Sequence, residues 1–187
     1  MNSPSTSNSG SSTRPVSPNR LKALLLDVDG VLTDNGLYID EEGRTSKRFD
    51  VRDGQGVVLA QRAGLQVGLI SGHDSKAVRE RAQGLGISIC FTGVKDKIPV
   101  YEKVLEQHAW SDDEIAYVGD DLMDLGILGR CGFAATVADA HPLVREIAHF
   151  TTRRPGGFGA VRELIEHLLK ARGQWTQLTN SYREPGD

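Results

Sequence analysis

Residues 24–34 read Leu24-Leu25-Leu26-Asp27-Val28-Asp29-Gly30-Val31-Leu32-Thr33-Asp34, an apolar run that ends in two aspartates one residue apart. Aliphatic side chains of this kind pack well in a sheet that is buried on both faces, and Gly30 then lets the backbone turn. The run therefore predicts a buried first strand with Asp27 and Asp29 at its carboxyl end, where open α/β sheets bind ligands. Two carboxylates crowded there are costly unless a cation or a proton lies between them.

Composition limits the classes of function that remain. The chain has 187 residues, of which 39% are hydrophobic, and this suits one well-buried core. A net charge of -3 gives no electrostatic case for binding nucleic acid or an anionic membrane. Cys90 and Cys131 lie in or beside apolar stretches, as expected in a reducing compartment. No apolar run is long enough to span a bilayer, so we expect a soluble cytoplasmic protein.

The rest of the chain alternates between strand and helix patterns. Residues 1–20 are rich in Ser, Pro, Asn and Thr and are predicted to form a disordered tail, residues 21–172 one domain, and residues 173–187 a mobile tail. An alternating segment around Glu42-Gly43 predicts a β-hairpin flap directly after the first strand. The remaining pattern predicts strands at 65–70, 87–91, 115–118 and 133–137, and helices at 55–63, 75–83, 98–108, 122–128, 142–147 and 160–171. This order indicates βαβ units, and hence a Rossmann-like, doubly wound parallel sheet.

Several predicted strands end in polar residues suited to one reaction. The second ends in Ser71-Gly72, Lys97 opens the helix after the third, and the fourth ends in Asp120-Asp121. All these ends lie on one edge of a parallel sheet, so the residues converge there. Carboxylates from two strands suit Mg²⁺, and a hydroxyl, an amide and an ammonium group suit a phosphate. Each signal is weak alone, but their order and placement together indicate a site for a phosphate ester.

These motifs resemble those of a known superfamily. DVDGVLTD at 27–34, Ile-Ser-Gly at 70–72, Lys97 and VGDDLMD at 118–124 match the four motifs of the haloacid dehalogenase-like phosphotransferases. Over residues 21–172, the hairpin with FDVRDG at 49–54, ADAHP at 138–142 and GGFGAVRE at 156–163 are similar to the 3-deoxy-D-manno-octulosonate 8-phosphate phosphatase family. That family has no cap domain, and its members are typically homotetramers.

The resemblance implies a role for each residue at the sheet edge. Asp27 is the nucleophile that forms an aspartyl-phosphate, and Asp29 protonates the leaving alkoxide and then activates water. Mg²⁺ is held by Asp27, by the backbone carbonyl of Asp29 and by Asp120. The remaining assignments are that Ser71 and Lys97 hold the phosphate and that Asp121 and Asp124 lie close behind the metal ligands.

The resemblance also suggests how a sugar acid is recognised. Arginine pairs best with a carboxylate, so Arg52 and Arg162 are candidates, with Arg153 and Arg154 beside them. Gly156 and Gly157 form a glycine-rich segment that lies against the active site in the family, where neighbouring subunits replace the missing cap. The full set predicted to contact substrate is Arg52, Gly72, His73, Gly156, Gly157 and Arg162. His73 is a departure, because the family usually carries arginine there, which leaves a nonulosonate 9-phosphate as an alternative substrate.

Two other classes of protein gather similar residues. A receiver-like domain also forms an aspartyl-phosphate beside a hydroxyl and a lysine, but its phosphoacceptor lies on a middle strand and lacks an acid two residues later. A catalytically silent subunit bound to a sugar nucleotidyltransferase would keep the fold. The intact motifs around Asp27, Lys97 and Asp120 favour an active enzyme over both.

Overall fold

The computed structural model describes residues 15–183 of the chain. Six parallel strands form its central sheet in the order β5-β4-β1-β6-β7-β8. A further pair of short strands, β2 and β3, forms a separate ribbon. The strands are β1 (Ala23–Leu26), β2 (Tyr38–Ile39), β3 (Thr45–Ser46), β4 (Gln66–Ile70), β5 (Ile89–Phe91), β6 (Ile115–Val118), β7 (Phe133–Thr136) and β8 (Phe150–Thr151). The predicted parallel sheet is confirmed, with β1 between β4 and β6 at its centre.

Helices cover both faces of the sheet. They are α1 (Val51–Arg62), α2 (Lys76–Gly84), α3 (Lys97–His108), α4 (Leu125–Leu128), α5 (Pro142–Ile147), α6 (Ala160–Ala171) and α7 (Trp175–Asn180). Leu24 and Leu26 of β1 belong to an apolar cluster with α1, α2 and α6, whereas Ala23 and Leu25 belong to another with α3, α4 and α5. Successive side chains of a strand point to opposite faces, so this division makes the sheet doubly wound.

Several boundaries differ from the predicted ones. Helix α1 begins at Val51, four residues early, because the side chain of Asp50 accepts a hydrogen bond from the Arg52 amide at 2.7 Å and caps the helix. Strand β8 was not predicted, because a strand of two residues is too short to show an alternation of apolar and polar side chains. Within residues 15–183, no helix combines the length and hydropathy needed to cross a membrane.

Both predicted tails are partly ordered. Residues 18–20 form a 3-10 turn, and Val16 packs against the core and bonds through its amide to the Gly132 carbonyl at 3.0 Å. At the other end, Trp175 and Leu178 of α7 pack against the same core cluster. These apolar side chains explain why the polar composition was misleading there. Residues 1–14 and 184–187 of the predicted tails lie outside the described residues.

The segment after β1 contains the antiparallel ribbon of β2 and β3, with Tyr38 opposite Ser46 and Ile39 opposite Thr45. An isolated antiparallel bridge pairs Thr33 with Phe49, so the returning chain runs beside the turn that follows Asp29. The ribbon is therefore anchored at the carboxyl edge of the sheet. Its action as a flap stays a prediction.

The glycine-rich segment before α6 packs directly on the turn after β1. The Gly157 amide donates to the Val31 carbonyl at 3.0 Å, and the Gly156 amide donates to Asp139 Oδ1 at 2.9 Å. A Cβ atom at Gly156 would lie 1.7 Å from the Gly30 carbonyl oxygen, which no side chain permits. The last third of the chain thus fixes the backbone that carries the two aspartates.

We predict that Gly156→Ala displaces the turn at Gly30, because the added methyl group has no room against backbone. Overpacking of this kind costs about 1–3 kcal/mol, so we expect a lower melting temperature together with a loss of the phosphate-ester hydrolysis that the resemblance implies. Gly84→Ala is the matched control, since a Cβ there meets nothing within 4 Å and Ala favours helix. If both variants melt and turn over like the wild type, the close packing does not constrain the turn.

Candidate active site

The carboxyl ends of β1, β4 and β6 form the floor of a cleft of about 240 Å³. The Asp27 amide donates to the Val118 carbonyl at 2.8 Å, so the first aspartate continues the pairing of β1 with β6. The residues that line the cleft are Asp27, Asp29, Asn35, Gly72, His73, Lys97, Asp120, Asp121, Met123 and Asp124. Three separate predicted strand ends and the start of α3 therefore meet in one place.

A buried lysine joins two of the carboxylates. Lys97 Nζ lies 2.7 Å from Asp27 Oδ1 and 2.7 Å from Asp124 Oδ1. The side chains of Lys97, Asp27 and Asp124 are only 3%, 9% and 1% exposed. Burial disfavours the charged form of Lys97, but the attraction of Asp27 and Asp124 outweighs it and raises its pKa above the ordinary value. Lys97 is therefore an ammonium group held beside Asp27.

Asp124 is fully engaged by donors from the protein. Its Oδ1 accepts from Lys97 and, at 2.6 Å, from the Tyr117 hydroxyl. Its Oδ2 accepts from the amides of Asp120 and Asp121 at 3.1 and 3.3 Å. A carboxylate with four donors organises its neighbours, and here it fixes the ammonium group and the start of the loop after β6. Asp121 accepts from the Leu122 amide at 2.8 Å and caps the 3-10 turn there.

Asp27 and Asp120 remain as crowded acids with oxygens toward the cleft. Burial raises the pKa of Asp27 to about 6, where Lys97 opposes the effect and Asp124 adds to it. Burial, and then the charges of Asp27 and Asp124, raise the pKa of Asp120 to about 8. Gly30, with a φ of +83°, permits this crowding, because a Cβ there would lie 2.0 Å from Asp120 Oδ2. The two carboxylates thus repel each other at positions where both are largely buried.

The donor set fits a hard divalent cation. Oxygens of Asp27, Asp120 and Asp124 all lie within 4.8 Å of one another. When all three carboxylates are ionised, they carry three negative charges, and Lys97 neutralises one of them. A divalent ion would neutralise the other two. Oxygen-only ligands in small number suit Mg²⁺, which keeps several waters. Because Asp124 is occupied by its four donors, Asp27 and Asp120 are the side chains free to hold the ion.

Asp29 is less buried than Asp27, with its side chain 29% exposed. Its Oδ1 accepts a long hydrogen bond of 3.5 Å from the Thr33 hydroxyl and forms an ion pair with Lys47 Nζ. The Thr33 hydroxyl also lies 3.4 Å from the Val28 carbonyl, which ties it to the same turn. Asp29 therefore faces the cleft on a turn held by local contacts.

The second predicted motif lies at the same edge. Ser71 is fully buried, and its Oγ donates to the His73 carbonyl at 3.3 Å, while Gly72 and His73 line the cleft. The Ser71 amide and carbonyl bond to Phe91 and Val94, so the turn is fixed to the neighbouring strand. Ser71 is thus placed to shape the turn, with Gly72 nearest the open space.

Four other residues predicted to contact substrate lie outside the cleft. Arg52 bonds to both oxygens of Asp50 at 3.0 and 2.6 Å and holds the pKa of that carboxyl well below its usual range. Arg162 donates to Glu166 at 2.7 Å. Both arginines line a separate cavity of about 390 Å³, together with Arg153 and Arg154. Gly156 and Gly157 pack under the turn after Asp29 and do not line the cleft. The two arginines are held away from the cleft by ion pairs with neighbouring acids, and the two glycines by close packing against backbone.

Sequence analysis assigned no role to Asn35 and Met123, which line the cleft, or to two further residues that bind its carboxylates. Tyr117 occupies a buried strand position, and the only signal was a hydroxyl in an otherwise apolar run. Lys47 follows β3 and resembles a solvated charge. Only its spacing of two residues from Phe49, which bridges Thr33, could have placed it near Asp29.

The chain is similar to several known proteins. Residues 91–164 match the model of a haloacid dehalogenase-like hydrolase family. The 3-deoxy-D-manno-octulosonate 8-phosphate phosphatase of Escherichia coli is 41% identical over 154 residues, which cover 82% of each chain. A probable YrbI family phosphatase from Pseudomonas syringae has a similar structure, with a TM-score of 0.89, 40% identity and coverage of 90% of this chain and 96% of that one.

A third relative was solved with ligands. The 3-deoxy-D-manno-octulosonate 8-phosphate phosphatase of Moraxella catarrhalis, in complex with a magnesium ion, a phosphate ion and a KDO molecule, matches with a TM-score of 0.87 and 32% identity. The match covers 89% of this chain and 95% of that one.

The crowded acids predict a pH-dependent stability of the metal-free protein. The unfolded chain releases the protons of Asp27 and Asp120 near the ordinary value of 3.8, whereas the folded chain keeps them up to about 6 and about 8. Because the folded state binds more protons in this window, its stability falls as the pH rises from about 4 to 8. In calorimetry with a chelator, we expect the melting temperature to fall over this range. Mg²⁺ should raise it more at about pH 8 than at about pH 5, and equal Mg²⁺ shifts would contradict the assignment.

Proposed function

The chain belongs to the 3-deoxy-D-manno-octulosonate 8-phosphate phosphatase family of haloacid dehalogenase-like hydrolases, and we propose that it hydrolyses this sugar acid phosphate to the sugar acid and inorganic phosphate. The observation that carries the proposal is the Asp27–Lys97 pair at 2.7 Å, buried beside Asp120. An ammonium group so close to a carboxylate can neutralise a phosphoryl group that Asp27 attacks.

Asp27 is the proposed nucleophile. One of its oxygens forms a bond to phosphorus, the bond from phosphorus to the sugar oxygen breaks, and the electron pair stays on the sugar oxygen. Asp27 and Asp120, with the backbone carbonyl of Asp29, would hold Mg²⁺. This ion supplies the positive charge that lets an anionic carboxylate approach an anionic phosphate. Lys97 contributes its charge to the phosphoryl oxygens and stays fixed by Asp124.

Asp29 is the proposed acid and base. When protonated on Oδ2, with Oδ1 still accepting from Lys47, it gives that proton to the departing sugar oxygen. It then accepts a proton from the water that attacks the aspartyl-phosphate, which restores the protonated form. The second attack breaks the bond between Asp27 and phosphorus, and the electron pair returns to the carboxylate. An acid two residues after the nucleophile, lining the same cleft, supports an enzyme that turns over rather than a receiver-like domain.

The remaining cleft residues orient the substrate. The Gly72 amide and Ser71 are proposed to donate to phosphoryl oxygens, which requires the Ser71 hydroxyl to leave the His73 carbonyl that it contacts at 3.3 Å. His73 lines the cleft and would contact the sugar acid. Because His73 replaces the usual arginine of the family, a nonulosonate 9-phosphate is the second candidate substrate.

We propose a homotetramer in which neighbouring subunits cover the cleft. Three consecutive apolar residues of the ribbon support this, because Leu37, Tyr38 and Ile39 are 60%, 49% and 63% exposed. Arg52 and Arg162 would then meet a sugar acid only across such an interface. The catalytic domain is proposed as residues 21–172, and the free cysteines Cys90 and Cys131 fit a cytoplasmic location.

We predict that Asp27→Asn abolishes Mg²⁺-dependent phosphate release, because an amide is a poor nucleophile and cannot form the aspartyl-phosphate. A phosphate-release screen over 2-keto sugar acid phosphates and ordinary sugar phosphates, with and without Mg²⁺, measures both the loss and the substrate preference. Asp113→Asn, at an exposed ion pair with Arg20, is the control and should keep full activity. Wild-type-like turnover of the Asp27 variant would exclude it as the nucleophile.

We also predict that His73→Ala raises the KM for octulosonate 8-phosphate about tenfold, as expected for the loss of one hydrogen bond to a charged group. The kcat/KM for a small aryl phosphate, which lacks the sugar carboxylate, should change less than about twofold. Steady-state kinetics on both substrates make the comparison. Equal effects on the two substrates would mean that His73 does not bind the sugar acid part of the substrate.

A further inference from the structure

Lys47 is a buried cation outside the four motifs. It lies just after β3, and its side chain is 1% exposed. Its Nζ forms an ion pair and hydrogen bond with Asp29 Oδ1. Among residues 15–183, no other carboxylate forms an ion pair with it. Burying an ammonium group is costly unless it is paired, so the Asp29 contact is what allows Lys47 to occupy this position.

Of the side-chain contacts of Asp29, the one with Lys47 is the closest. In the part of the chain that the structure describes, the remaining side-chain partner of Asp29 is the Thr33 hydroxyl, at the long distance of 3.5 Å. Both partners bind Oδ1, so within residues 15–183 Oδ2 is the oxygen left free for proton transfer in the cleft. The bridge between Thr33 and Phe49 holds the backbone near Lys47 in register with the turn of Asp29. Lys47 therefore reaches Asp29 from a segment that pairs with the same turn.

We infer that Lys47 is a positioning residue that holds Asp29 so that Oδ2 faces the leaving oxygen of the substrate. This inference rests on the proposed role of Asp29 as acid and base. A proton donor must lie within hydrogen-bond reach of the oxygen it protonates, so a carboxyl group that swings freely loses part of its effect. The alternative is a purely structural role, in which Lys47 only attaches the ribbon to the domain.

The two alternatives differ in how they depend on the leaving group. A sugar alkoxide is strongly basic and needs the proton from Asp29 when its bond to phosphorus breaks. A nitrophenolate keeps the electron pair without a proton, so its departure needs no acid. Attack of water on the aspartyl-phosphate needs Asp29 as a base whichever group has left. Loss of positioning should therefore slow the departure of a sugar alkoxide but not of a nitrophenolate. It should slow the attack of water on the aspartyl-phosphate with both substrates.

The test uses the full-length Lys47→Met protein, because methionine fills a similar space without charge or donor. We expect kcat/KM for octulosonate 8-phosphate to fall about 10- to 100-fold, within the range that acid–base catalysis contributes. The kcat/KM for p-nitrophenyl phosphate should stay within about threefold of the wild type. With the aryl substrate, rapid mixing should show a burst of nitrophenolate. The steady-state rate after the burst should fall at least about tenfold relative to the burst rate, because water attack is slowed.

Controls separate positioning from damage to the fold. Lys22→Met removes a lysine from an exposed ion pair with Glu114 just before β1 and should leave both substrates unchanged. Lys47→Gln, which keeps a hydrogen-bond donor, should give the same selective pattern with smaller losses. Calorimetry and the inhibition constant of inorganic phosphate report whether the Lys47 variants keep the folded cleft. Equal losses on both substrates without a burst would overturn the inference.

Asp29→Asn distinguishes this inference from the function on which it rests. If Asp29→Asn gives the selective loss and Lys47→Met does not, Asp29 is the acid and base but Lys47 does not position it. If Asp29→Asn itself affects both substrates equally, the proposed role of Asp29 is wrong and the inference about Lys47 falls with it.

Discussion

Lys97 places one ammonium group between two buried carboxylates, 2.7 Å from each, and the rest of the site is arranged around that contact. A buried charge is tolerated only when its partners are held in place. Tyr117 and two backbone amides hold Asp124, Asp124 holds Lys97, and Lys97 faces Asp27. The parallel sheet is what allows this, because adjacent strands β1 and β6 deliver their ends to the same point.

The carboxyl edge is also held from outside the sheet. Gly156 presses on the turn at Gly30, Asp139 binds the Gly156 amide, and the His141 amide donates to the Asp120 carbonyl at 2.8 Å. The segments at 138–142 and 156–163 that resemble the phosphatase family are thus supports of the catalytic backbone.

The parallel sheet and the meeting of Asp27, Lys97 and Asp120 could be predicted, because the apolar strands of such a sheet end in polar residues at one common edge. The order of the strands in the sheet was not predicted. Other features depend on tertiary neighbours that no local pattern encodes. Arg52 and Arg162 point toward Asp50 and Glu166 instead of the cleft. The two tails looked featureless because a few apolar side chains, such as Trp175, were diluted by polar ones.

The contact between Gly156 and the Gly30 turn has a consequence for biosynthesis. Strand β1 is made first, but β6 pairs with it from residue 115 onward and the turn gains its support only when residues 156 and 157 arrive. Contacts between distant parts of a chain form late in folding. A nascent chain that carries both aspartates therefore lacks the contacts that support their turn until residues 156 and 157 have been made.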